Sequence, residues 1–421
     1  MVIKEKISLF RNLRLDYVII GVLVLMSGLP VAMGPLREEV FTIISTFFLV
    51  TIFVLRRKSL FTARFLVAVS VLSGILIIQC ITFDFWPFHT MIGFMLRLFI
   101  GYAAIRLVSD FPKRYVIFIY YLCIVSLCFH SLAVIREATG TNLMELFGPI
   151  DDIVKPDKGI NAIIHHFHGY GRLKEYVRKD PLAPWRNGSC FWEPGVLAAY
   201  TLLAIAFLGL MKDKFDKRRY RNIFVVLVIS LLTTMSTTGY VLLPLCLLFH
   251  LRGIYLTARY VPKILGLALL LALFCTVAYH LDFVGEKIEK QFDSVAYREA
   301  GWEQARIGSL VYDLEYIRKR PFFGWGPNNE TRHALSSGVV IFGHGNGLSD
   351  FTVRFGLFGL VTVLTCIWVS FYQLTNRNWM LSILFVLFVV MVLNGERLLN
   401  YSTYLGLMFL GSALEHRHIM T

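Results

Sequence analysis

The 421 residues are 56% hydrophobic and 17% charged, with a mean hydropathy of +0.63, which is more apolar material than a soluble core of this length can hide and so excludes an ordinary water-soluble protein. Lysine and arginine number 42 against 28 acids, and the +14 balance alone fits nucleic acid, an anionic membrane surface or an anionic substrate. Seven cysteines stand at 80, 123, 128, 190, 246, 275 and 366; none forms a CxxC pair and only Cys190 lies outside an apolar stretch, so no disulfide framework is expected.

The first apolar run, 17–33, is too long for a signal-peptide core and lacks a small-residue cleavage site, so it reads as a retained first span. A helix needs about 20 apolar residues to cross hydrocarbon, where it satisfies its own backbone. The sequence predicts spans near 16–34, 40–55, 64–82, 89–108, 115–135, 193–211, 223–236, 238–254, 262–281, 348–372, 379–394 and 398–414. The expected fold class is therefore all-α, a polytopic bundle of about 12 spans forming a single membrane domain over 1–421, with two long external loops at 136–192 and 282–347 that carry short amphipathic helices. Basic residues choose the orientation. Alternate connections carry Lys4, Lys6, Arg11 and Arg14, then Arg56, Arg57, Lys58 and Arg64, then Arg106, Lys113 and Arg114. The same side continues with the run from Lys212 to Arg221, then Arg252, Arg259, Lys263, Arg377 and Arg417, whereas the opposite short connections hold Arg37 and Arg397 alone. Both termini are thus expected in the cytoplasm and both long loops outside. Topology then accounts for most of the positive excess, and no nucleic acid is needed.

Loops of this length that keep Trp, Tyr, Pro and Gly usually carry function. In the first loop, His165, His166 and His168 could bind a metal by type, but without placed partners they read as solvent-facing. That loop ends in Trp185-Arg186-Asn187-Gly188-Ser189-Cys190-Phe191-Trp192-Glu193-Pro194-Gly195. Glu193 before Pro194 is also what a plain helix N-terminus looks like. In the second loop, Ile307, Leu310, Val311, Leu314 and Ile317 recur at helical spacing over 303–319, while Arg306, Asp313, Glu315 and Arg318 take other faces. Periodicity alone leaves two readings open, a helix lying at the membrane surface or an ordinary packing helix. A helix stop and turn follow at Arg320-Pro321-Phe322-Phe323-Gly324-Trp325-Gly326. Further on, Gly343-His344-Gly345-Asn346-Gly347-Leu348 leads into the tenth span through Asp350, Arg354, Gly356 and Gly359. A lone histidine such as His344 is more often structural than catalytic. Arg97 and Arg354 fall inside predicted spans, where an unpaired charge costs roughly 2.5–3.5 kcal/mol, so each requires a partner or an aqueous cavity. Arg97 fits a structural ion pair or a lipid-phosphate path, and Arg397 can snorkel to head groups.

At these residues the sequence resembles the O-antigen ligase and polymerase family of membrane glycosyltransferases. The family's second large loop carries an Arg, an amphipathic helix, a Pro-apolar-apolar-Gly-x-Gly turn and a His that leads through Asn and Leu to Gly-x-x-Gly. Arg306, Pro321 to Gly326, His344, Asn346, Leu348 and Gly356-Leu357-Phe358-Gly359 follow that order. Gly345 separates His344 from Asn346, the step from Leu348 to Gly356 is a residue longer than usual, and Leu310 stands where Trp is common. Arg186-Asn187-Gly188 is similar to the family's Arg-x-Gly segment, and 191–195 resembles a variant found in capsule and exopolysaccharide polymerases.

The resemblance implies an enzyme of the bacterial inner membrane that polymerises undecaprenyl-pyrophosphate-linked oligosaccharide on the outer face. Donor and acceptor would both be lipid-linked, with membrane lipid around them and a chain-length regulator as a further candidate partner. Arg186 and Arg306 would hold the pyrophosphate and His344 would act as general base, with Glu193, Asn346, Arg354 and Arg97 on the substrate side. Neither a metal nor a cofactor is expected. A ligase that passes the polysaccharide to lipid A core shares the same donor groups. A flippase or other transporter also has about a dozen spans, but favours charges at the midplane and repeat symmetry.

Overall fold

The computed structural model describes residues 2–27, 38–139, 160–162, 165–169, 185–250, 306–328, 330–331 and 345–413, with a few positions between 266 and 297. The predicted span at 262–281 lies largely outside them. The elements, in chain order, are α1 (Val2–Leu25), α2 (Glu38–Leu55), α3 (Ala63–Phe83), α4 (Phe88–Leu107), α5 (Phe111–Thr139), β1 (Ile160–Ala162), β2 (His165–Gly169), β3 (Trp185–Asn187), α6 (Pro194–Leu210), α7 (Lys217–Thr233), α8 (Thr237–Leu247), α9 (Arg306–Lys319), α10 (Gly347–Leu374), α11 (Trp379–Gly395) and α12 (Ser402–Gly406). Helices α2, α3, α4 and α10, with Phe111–Ile135 of α5, are long and apolar enough to cross a membrane; α6, Thr237–His250 and α11 are shorter apolar helices. The chain is thus a mainly helical membrane protein, with a small three-stranded antiparallel sheet, β1-β2-β3, in the first long connection.

The residues divide into two compact units, one of Met1–Ser27, Glu39–Phe111 and Ile288–Thr421, the other of Gly28–Glu38 and Pro112–Lys287. In the first, Phe65 stacks on Tyr102 with centroids 4.2 Å apart, and Tyr102 meets Phe409 edge-on at 5.2 Å. A Cβ on Gly101 would lie 2.2 Å from the Ser402 carbonyl oxygen, so α4 and α12 touch backbone to backbone, the close approach that small residues permit between apolar helices. Buried Asp16 binds Arg56 at 2.8 Å and accepts from the Ser109 N–H and hydroxyl, which anchors α1 to the polar ends of α2 and α4.

Helix α10 is broken at Gly356, where φ is 67° and ψ −178°. Breaking a helix frees N–H and C=O groups that an apolar environment cannot satisfy. The turn at 321–326 satisfies them. Trp325 and Gly326 donate to the carbonyls of Val353 (2.8 Å) and Arg354 (3.0 Å), while Leu357 and Phe358 donate to those of Pro321 (2.7 Å) and Phe322 (3.2 Å). Buried Gln79 of α3 adds its Nε2, which donates to Arg354 O at 2.7 Å and also to Phe323 O.

In the second unit all of α6 is buried, as an all-round apolar helix packed on its neighbours should be. Strand β2 pairs with β3 in the register His168 to Arg186 and Phe167 to Asn187.

Candidate functional site

The polar groups of the first unit gather where α9, the start of α10 and the segment after α11 meet. Helix α9 forms where its periodicity indicates, yet it turns the less expected side inward. Asp313 is fully buried, together with Ser309 and Tyr316, whereas Leu314 is 44% exposed and Leu310 and Val311 are exposed beside it. Leu310, Val311 and Leu314 point outward, while Ile317 packs against the buried Tyr316, Trp325 and Val353.

The inward side is fixed by hydrogen bonds. Asp313 accepts from the Ser349 hydroxyl at 2.7 Å, and Ser309 Oγ accepts from the Gly345 N–H at 2.7 Å. Asn346 caps α10, its Oδ1 accepting from the N–H groups of Leu348 and Ser349 at 3.1 Å each. Its Nδ2 donates to Asn394 Oδ1 at 3.0 Å, and Asn394 is held in turn by the Val390 carbonyl. Gly347 permits this docking, since a Cβ there would stand 2.1 Å from Glu396 O.

Arg306 opens α9 and binds Glu396 at 2.8 Å, with side-chain exposures of 22% and 10%. Arg354 pairs one helical turn back with Asp350 at 2.9 Å, and Asn400 Oδ1 accepts from its other terminal nitrogen at 3.2 Å. The pairing answers the cost of an in-span charge noted from the sequence. Arg97 is half-buried within α4. His344 lies outside the described residues. Its sequence neighbour Gly345 is bonded to the helix turn that follows Arg306.

Arg186 and Glu193 belong to the second unit. Arg186 Nε donates to Thr234 O at 3.0 Å. Beside it Asn187 donates to Thr233 Oγ1 at 2.9 Å and accepts from the Ser126 hydroxyl and the Ser189 N–H. Glu193 occupies the cap position of α6 with no side-chain cap bond, and Pro194 follows at the first helical position. The expectation of solvent-facing histidines fails at His165, which is 2% exposed and stacks on Phe129 at 5.3 Å. Burial follows because β2 and α5 pack in the same unit. Among the described residues no group of three or more His, Cys, Asp or Glu is placed to hold a metal ion.

Sequence reasoning missed Glu396, overshadowed by the neighbouring Arg397, and Asn394 and Gln79, which carry no spacing signal. The spacing of Asp350 and Arg354 was a usable sign of their pairing.

These features define a polytopic helical membrane protein with a buried polar cluster at the termini of its helices. Residues 223–364 match the family model described as O-antigen ligase, in agreement with the O-antigen ligase and polymerase family. The match takes in Arg306, the 321–326 turn, His344, Asn346, Arg354 and both glycines of the Gly356-x-x-Gly359 segment, and leaves out Arg97, Arg186, Glu193 and Glu396. A search of curated proteins gives no match.

Proposed function

We propose that the protein is a polysaccharide polymerase of the bacterial inner membrane, with about 12 spans, cytoplasmic termini and external long loops. It joins a growing chain, held on undecaprenyl pyrophosphate, to a hydroxyl of the next lipid-linked repeat unit. The acceptor oxygen attacks the anomeric carbon of the donor, the bond to the phosphate oxygen breaks, and the pyrophosphate leaves with the electron pair. His344 takes the hydroxyl proton, the task of a base whose pKa lies near the operating pH. Arg306 and Arg186 balance the charge of the leaving group through the planar guanidinium fork. Arg354, Arg97, Asn346 and Glu193 belong to the substrate side, and one displacement inverts the anomeric centre.

The observation that carries this reading is the Gly345 N–H bond to Ser309 Oγ, because it ties the residue after His344 to the helix that Arg306 begins. Glu396 holds the Arg306 guanidinium in place, and a guanidinium is the planar fork suited to phosphate oxygens. The ligase alternative rests on the description of the matching family model. It shares the donor chemistry and differs in the acceptor. Purified protein given lipid-linked repeat units alone should produce a ladder of lengths. Product that forms only after lipid A core is added would support the ligase instead.

A further inference from the structure

Beyond the polar cluster, an open cleft of about 230 Å³ lies where α9 and the 321–326 turn meet the end of α3. Its lining includes Lys319, Arg320, Thr82, Ile78, Phe322 and Phe323. The upper part is cationic. Lys319 is exposed, and neither Lys319 nor Arg320 pairs with a carboxylate among the described residues. The Arg320 guanidinium lies over the rings of Phe83 (4.4 Å) and Trp325 (5.0 Å), which fixes its plane while leaving its edge free to donate. The other wall is apolar and open, with Phe322 58% exposed and Ile78 40% exposed.

We propose that this cleft binds an anionic phospholipid. Its phosphate would meet Lys319 and Arg320, and its acyl chains would run along Ile78, Phe322 and Phe323. Charge complementarity selects that occupant. The residues stand at the end of a helix long enough to cross the membrane, the level at which a head group meets basic side chains. Complementing the negative end of α9 would need only Arg318 and Lys319, and does not explain a guanidinium stacked on two rings above exposed phenylalanines. The proposal stands apart from the glycosyl-transfer reading, because none of these residues belongs to the cluster around Arg306.

The test is native mass spectrometry of the full-length protein with phosphatidylglycerol and phosphatidylcholine of equal chain length. The wild type should retain phosphatidylglycerol preferentially, and the Lys319→Gln, Arg320→Gln double variant should lose about thirtyfold of that preference, the scale set by two basic side chains at a membrane surface. Because Arg320 also packs on aromatic rings, Lys319→Gln alone reads the charge without disturbing the fold and should lose about fivefold. Equal retention of the two lipids, or a preference unchanged in both variants, would overturn the proposal. So would displacement of the bound phosphatidylglycerol by an equimolar short-chain prenyl diphosphate, which would mark the cleft as a donor site.

Discussion

Gly324 and Gly356 meet backbone to backbone across the break in α10. A Cβ on Gly324 would stand 2.6 Å from the Gly356 nitrogen, and one on Gly356 would stand 2.1 Å from the carbonyl oxygen of Phe322. Both residues also have positive φ, 71° and 67°. The turn thereby replaces the hydrogen bonds that α10 gives up and fixes the helix segment bearing Asp350 and Arg354.

Replacing either glycine with alanine should therefore be costly. Gly356→Ala faces a left-handed conformation and a backbone clash together, and should destabilise by about 3 kcal/mol or more. Thermal unfolding in detergent checks it, with Gly74→Ala as the control. Gly74 lies in α3 with nothing within 4 Å of a new Cβ, so its substitution should leave the melting temperature unchanged or raised.

Removing the hydroxyl of buried Ser309 leaves the half-buried Gly345 N–H without this acceptor. That loss is worth about 1–3 kcal/mol, and it falls on the residue adjoining His344. Ser309→Ala should reduce polymer formation by about tenfold or more with normal yield in the membrane. Product ladders at matched protein amounts give the comparison.

Glu396→Ala removes the carboxylate that binds the Arg306 guanidinium. The pair is only partly exposed, so the variant should lose about 1–3 kcal/mol of stability, less than a fully buried pair would. Glu396→Gln keeps a hydrogen-bond acceptor and should lose less. Melting temperatures of the two variants would order them, and the reverse order would show that Glu396 does not hold Arg306 through its hydrogen-bond acceptor.

Lys58, in the connection between α2 and α3, donates to the carbonyl of Arg106 at 3.0 Å. Burial, with the charges of Arg56 and Arg106 beside it, holds its pKa down at about 8. The unfolded chain, with the ordinary value of 10.5, therefore binds more protons between pH 8 and pH 10.5, so this contribution to stability rises with pH across that window and is lost as pH falls through 8. Melting curves should show the wild type gaining on Lys58→Gln from pH 8 to 10. Parallel pH profiles would contradict the assignment.

The spans at 40–55, 64–82, 89–108, 115–135 and 348–372 were legible in the sequence because a long apolar run with few charges permits little else, and each coincides with a helix of spanning length. Helix α9 was legible as a helix but not in its orientation. Periodicity separates the Leu310, Val311 and Leu314 face from the Ser309 and Asp313 face, yet in a membrane protein lipid competes with the core for the apolar one. The break at Gly356 was not legible, because Gly356-x-x-Gly359 suits an unbroken helix until the 321–326 turn is known to dock against it. Likewise β1 and β2 are too short for an alternating pattern to show. Of the candidate site, Arg306, Asn346 and Arg354 stood out by residue type, but their partners Glu396, Asn394 and Asn400 lie 46–90 positions away in the sequence and are brought near only by folding.

Single-turnover assay of purified protein in detergent, where no gradient exists, is the most direct test of glycosyl transfer from a lipid pyrophosphate. With lipid-linked repeat units supplied, the wild type should extend chains, and His344→Ala and Arg306→Ala should extend none while remaining folded. Chain extension at the wild-type rate by His344→Ala would contradict the account.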